Sequence, residues 1–152
     1  MKKFQFSLSA ALKLRESQLQ VERIKLQKLF AEEQSLTNAI DRLVADRRDA
    51  ASFIYGQASV NAEDLRTLSC FSVGADARAI FLREQLARHA KSIQEQKARL
   101  MQAERRVKLL GKLRNRKFEA WTEEANREIE VAAQESWLSK RHSEIVRQAT
   151  IS

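Results

Sequence analysis

Few residues in this 152-residue sequence could do chemistry, and their spacing argues against most of it. The two histidines, His89 and His142, stand far apart, and neither belongs to a His-x-x-x-His or Cys-x-x-Cys arrangement that would hold a metal. The single cysteine, Cys70, has no neighbouring base to activate it as a nucleophile. No glycine-rich loop is present to cradle a phosphate. The expectation is therefore no enzyme, no cofactor, no metal and no small-molecule substrate. In that reading His89 sits in a helical seam opposite Arg47, His142 lies near a projecting end, and Cys70 packs as a small hydrophobe under a connector.

Charge offers a different kind of chemistry. Between Lys97 and Lys117 stand nine cations, Lys97, Arg99, Arg105, Arg106, Lys108, Lys112, Arg114, Arg116 and Lys117, against the single Glu104. From Phe118 to Glu135 the sign reverses, with six Glu and only Arg127. Such a basic band could displace counterions from nucleic acid, but Arg114 and Lys117 fall in the expected seam rather than on one outer face. Nucleic acid is thus the weaker reading, and a membrane surface weaker still for want of bulky apolar groups opposite the charges. Adjacent positive and negative bands suit docking on a patterned protein surface.

Aromatic residues make up only 7 % of the chain, so their positions carry weight. Phe4 and Phe6 precede the first expected helix, Phe53 and Tyr55 close it, and Phe71 and Phe81 flank the start of the second. They either cap the two ends of a rod or, where exposed, anchor partners. Trp121 lies in the expected seam. Trp137 lies beyond the expected overlap of the two helices and is the foremost candidate for a contact residue.

These groups must be positioned by helices. With 43 % apolar and 32 % charged residues, three Gly and no Pro, the chain is rich in helix formers and poor in the residues of turns and sheets. So much charge cannot enter a globular core, because a buried unpaired ion costs several kcal/mol. No run of about 18 apolar residues is present to span a membrane, and the start Met1-Lys2-Lys3-Phe4-Gln5-Phe6 lacks the apolar stretch of a secretory signal. A lone cysteine agrees with a reducing compartment, so the cytoplasm is expected.

Leu8, Leu12, Leu19, Leu26, Leu29, Leu36, Ile40, Leu43, Ala50 and Ile54 trace one heptad seam, interrupted by Arg15, Glu22, Glu33 and Arg47. It predicts a helix over about 7–57 with Ser7 as N-cap. Ser59, Asn61 and the pair Glu63-Asp64 look like the cap and first turn of a short connector helix over about 61–71. A second seam, Ala79, Leu82, Leu86, Ile93, Leu100, Ala103, Val107, Leu110, Trp121, Val131, Leu138 and Ile145, predicts a helix over about 75–149. The fold class expected is all-α, a long antiparallel two-helix coiled-coil hairpin forming a single unit over residues 1–152. Apolar matching favours a register in which paired residue numbers sum to 136, so that Leu36 meets Leu100, Leu43 meets Ile93, Ala50 meets Leu86, Ile54 meets Leu82 and Glu22 faces Arg114. Met1 would then lie level with Glu135, and residues 136–152 would project past the first helix.

The opening Phe4-Gln5-Phe6-x-Leu8-x-x-x-Leu12-x-Leu14-Arg15-Glu16, the stretch Lys112-Leu113-Arg114-Asn115-Arg116-Lys117 followed by Trp121, and the late Gln134-Glu135-Ser136 together resemble FliJ-type proteins. These are the coiled-coil stalks of the bacterial flagellar export machinery, related to stalks of virulence type III secretion systems. The resemblance covers nearly the whole chain, although the family often carries an acidic pair near the end where this chain has Ser143-Glu144. It implies a cytoplasmic protein, peripheral at the inner membrane, that enters the central hole of a hexameric flagellar-type export ATPase and promotes its assembly. It further implies contact with the membrane export gate and with export chaperones. Carried onto this chain, the ring-facing end comprises Phe4, Phe6, Leu8, Leu12, Trp121, Trp137 and Leu138, with Lys112, Arg114, Arg116 and Lys117 as its electrostatic part. The gate-facing end lies near Phe53, Tyr55, Phe71 and Phe81. The alternatives are a self-associating coiled-coil scaffold and a basic nucleic-acid-binding helical protein.

Overall fold

A computed structural model describes residues 3–151. Two long helices pack against each other, α1 over Ser9–Tyr55 and α2 over Ala62–Ile151, with no strand among the described residues. Helix α1 begins two residues later than expected. The Ser9 amide donates to the Phe6 carbonyl and the Leu12 amide to the Leu8 carbonyl, so Leu8 occupies the position assigned to Ser7. At the other end, the Gly56 amide donates to the Ser52 carbonyl at 2.9 Å, and a Cβ on Gly56 would come within 2.9 Å of that same oxygen.

Helix α2 opens as the sequence suggests and then departs from it. Asn61 and Asp64 cap each other, the Asp64 amide donating to Asn61 Oδ1 at 2.9 Å and the Asn61 amide to an Asp64 carboxylate oxygen at 3.3 Å. The helix does not stop near Phe71. It runs through Gly74 to Ile151, so the connector helix expected at 61–71 and the helix expected from 75 are one element. One glycine costs a helix about 1 kcal/mol relative to Ala, too little to break a helix whose next turn buries Ala75 and Ala79.

The chain divides into two compact units. One comprises Ser17–Glu104, and the other joins the residues up to Glu16 with those from Arg105 onward. Within the first, α1 and α2 run antiparallel around a thin seam whose most buried side chains are Ile93 and Gln96, 4 % and 5 % exposed. Glu22 and Glu33 are half-buried on this seam, as the heptads place them, whereas Arg47 is exposed and pairs with Asp76.

The register is not the expected one. His89 bonds to Leu29, Gln96 to Glu22, Arg47 to Asp76 and Arg23 to Glu104, pairs whose numbers sum to between 118 and 127. The heptad-compatible alignment inside that range has a sum of 122, fourteen residues short of 136. Glu22 therefore faces Gln96 rather than Arg114, and His89 faces Leu29 and Glu32 rather than Arg47. The cause is the link. Helices leaving a short turn pair residues equidistant from it, and α2 starts at Ala62 instead of near residue 75, which moves the turn toward α1.

Candidate functional site

In the unit formed by the first and last segments, the start of the chain lies against α2 at Phe118 and Trp121. Residues 3–8 precede α1 without helical structure and are held by their apolar side chains. Phe6 and Leu12 are buried, as is Ala125 on α2. The Phe4 ring stands edge-on to Phe118 at 5.2 Å between centroids and lies 5.9 Å from Trp121, while Phe118 and Trp121 stack at 5.8 Å. Edge-to-face and offset pairs add about 0.5–1.5 kcal/mol each beyond their buried area. Phe118 was not singled out from the sequence, although it stands one helical turn before Trp121 and could have been found on that ground.

Beside this cluster an open groove is lined by Phe4, Phe6, Ser9, Lys13, Glu16 and Arg114, among others. The side chains of Lys112, Arg114, Arg116 and Lys117 are exposed, so Arg114 and Lys117 do not occupy a buried seam. Arg114 stands instead on the rim of that groove, beside Ser9, Lys13 and Glu16 of the first turns of α1. Leu8 is also exposed.

Beyond Ala125 every side chain through Ala149 is exposed. The covered stretch thus ends about ten residues before the expected Glu135, another consequence of the shorter link. Trp137 is 56 % exposed with the Arg141 guanidinium over its ring at 5.1 Å, and Val131, Leu138 and Ile145 stand at heptad intervals with nothing covering them. Trp121 and Trp137 are about 24 Å apart along the helix axis at 1.5 Å per residue.

In the unit Ser17–Glu104 the aromatic groups near the turn face outward. Phe53 is 71 % exposed, Tyr55, Phe71 and Phe81 are also exposed, and Arg78 lies over the Phe81 ring at 5.5 Å. Their exposure removes the reading in which they cap this end by packing into it. Cys70 is a free, exposed thiol and not a packed hydrophobe, because the helix that carries it turns it away from α1.

Two polar contacts inside the seam were not anticipated. Gln96 donates to the Glu22 backbone carbonyl at 3.2 Å and also to its carboxylate, and Lys25 donates to that carboxylate at 2.9 Å. These hydrogen bonds, Lys25 first and Gln96 second, hold the Glu22 carboxyl below its ordinary range. His89 Nε2 lies 2.8 Å from the Leu29 carbonyl oxygen, which only accepts, so this nitrogen carries the proton. Glu32 stands 3.5 Å from the same nitrogen.

A family model described as the flagellar FliJ protein matches residues 4–129. The chain belongs to this family. It is accordingly a flagellar export-related coiled-coil protein, in a family whose members are non-catalytic structural and assembly proteins. The FliJ match takes in the aromatic cluster, the basic band and the turn, while Trp137 and Leu138 lie past its end. No curated protein and no solved structure matches the chain. No helix among the described residues is long and apolar enough to cross a membrane.

Proposed function

We propose that this FliJ-family chain is a non-enzymatic stalk and assembly factor of the flagellar type III export apparatus. It works in the cytoplasm, at the cytoplasmic face of the inner membrane. Its paired ends enter the central hole of the hexameric export ATPase. The turn end, with Phe53, Tyr55, Phe71 and Phe81, meets the membrane export gate, and export chaperones bind the same rod.

The observation that carries this reading is the uncovered end of α2. Past the Phe4, Phe118 and Trp121 cluster, a helical segment continues with Val131, Trp137, Leu138 and Ile145 all exposed. A helix that leaves large apolar groups in water over so long a stretch marks an interaction surface. The exposed cations Lys112, Arg114, Arg116 and Lys117 stand next to an acidic stretch, which supplies register on a charged partner. A partner that binds the assembled ring more tightly than its free subunits stabilises the ring by mass action.

The direct test places a photoreactive phenylalanine at position 137 and irradiates the protein with the export ATPase and ATP. Crosslinks to ATPase subunits are expected. If adducts form only with gate or chaperone proteins added in parallel, the assignment of this end to the ring is wrong.

A further inference from the structure

Helix α2 carries a second apolar face that α1 leaves uncovered. Within the unit Ser17–Glu104, Leu68, Ser72, Ala75, Ala79, Leu82 and Leu86 turn toward the seam and are buried or half-buried. On the opposite side Cys70, Val73, Gly74, Ala77, Ile80 and Phe81 are all exposed, Val73 by 67 % and Ile80 by 56 %. At 100° per residue they fall in an arc about 120° wide, as broad as the stripe by which a surface helix meets a core. No charged side chain stands in that arc between Cys70 and Phe81.

The stripe is its own complement. Arg66, Cys70, Val73, Ala77, Ile80 and Glu84 follow one another in steps of four, three, four, three and four, an order that reads the same in both directions. Two antiparallel copies therefore match layer by layer where paired residue numbers sum to 150. Cys70 then meets Ile80 of the second copy and Val73 meets Ala77, each contact occurring twice, as a two-fold axis requires. At both ends Arg66 comes level with Glu84 of the second copy. Neither residue makes an ion pair within its own chain among the described residues, so both charges are available to bridge the copies. A parallel pair would instead set Arg66 on Arg66 and Glu84 on Glu84. Asp76, beside the axis, is already paired with Arg47. Past Ala87 the same heptad positions become Lys91 and Gln94, which confines the match to about 27 Å of helix at 1.5 Å per residue.

We propose that the outer face of α2 between Arg66 and Glu84 is a self-association surface on which two copies of this chain pair antiparallel, back to back. The apolar layers supply the attraction, and the two Arg66–Glu84 bridges fix direction and register. A single helix-on-helix contact of this length is smaller than a standard interface, so the dimer forms reversibly as concentration rises. The contact goes beyond the stalk reading and is tested on this chain alone, so it holds or fails whatever the export ATPase does.

Sedimentation velocity over a series reaching about 1 mM should show monomer passing to dimer. Arg66→Glu or Glu84→Arg alone puts like charges at both ends of the stripe and should weaken the dimer about tenfold. The exchange Arg66→Glu/Glu84→Arg should restore it. Direction is read from thiols. In the Ile80→Cys chain the new thiol lies level with Cys70 of the second copy, so mild oxidation should give a disulfide-linked dimer. In the native chain the two Cys70 residues stand about 15 Å apart along the axis, too far for a disulfide. Should Ile80→Cys lose helicity, the charge exchange, made at two exposed positions, carries the test. A chain that stays monomeric throughout the series, a dimer indifferent to both charge reversals, or a Cys70-to-Cys70 crosslink in the native chain would overturn the proposal.

Discussion

The Phe4 ring meets Phe118 edge to face, with centroids 5.2 Å apart and planes at 82°, and this contact fastens a non-helical chain start to the long helix α2. Residues 3–8 have few backbone bonds of their own, so their order depends on that ring and on buried Phe6. Replacing Phe4 by Ala should free the start of the chain without unfolding the two helices. Expected results are faster amide exchange over Ser9–Leu14 and a red shift of Trp121 fluorescence read in a Trp137→Phe background. Unchanged exchange and emission would show that Phe6 alone holds the segment.

Acid should loosen the seam at Glu22. Its carboxyl is held below the ordinary 4.5 by hydrogen bonds from Lys25 and then Gln96, so the contribution to stability is complete above that value. It disappears as pH falls through the lower folded value, because protonation removes the negative charge of a carboxylate whose Oε1 accepts from Lys25 and whose Oε2 accepts from Gln96. The Glu22→Gln chain should therefore lose less stability than wild type on acidification below about pH 4.5, measured as melting temperature against pH. Parallel curves for the two chains would contradict the assignment.

Continuity of α2 through residue 74 is also measurable. A Cβ on Gly74 meets nothing within 4 Å, and the residue sits inside a helix. Gly74→Ala should stabilise by about 1 kcal/mol, raising the melting temperature by about 2–4 °C. A lower melting temperature would mean that the backbone at 74 needs glycine, as a break in the helix would require.

Much of this was legible in the sequence, and the failures share one origin. The heptads located the buried face of both helices, including half-buried Glu22 and Glu33, because the 3.5-residue repeat reports directly which side is covered. The Asn61 cap was legible for the same local reason, since a short polar side chain can satisfy the first amides of a helix. The register was not. It depends on where the chain turns, and a glycine followed by a fresh seam reads equally well as a break or as an ordinary helical residue. Apolar matching, free of the constraint that α2 starts at Ala62, favours a pairing two heptads away, which mispairs His89 and Glu22 and shortens the uncovered end expected for α2. Cys70 is exposed because it stands on the outer face of α2, between the half-buried Leu68 and Ser72.

The basic band should matter to binding and not to folding. Lys112, Arg114, Arg116 and Lys117 are exposed, and surface charges contribute about 0–1 kcal/mol each to stability. Reversing all four to Glu should leave helicity nearly intact and weaken ATPase binding more strongly at low salt than at high salt, as titrations at two ionic strengths would register. Equal affinity of the reversed and native chains would remove electrostatics from the interaction.

The stalk reading stands or falls on ATP hydrolysis and particle size of the flagellar-type export ATPase, measured together with and without stoichiometric amounts of this protein. Faster hydrolysis accompanied by a shift from smaller species to the hexamer is the expected result. An active ATPase whose rate and oligomeric state ignore the added protein would contradict it and favour a scaffold or nucleic-acid role instead.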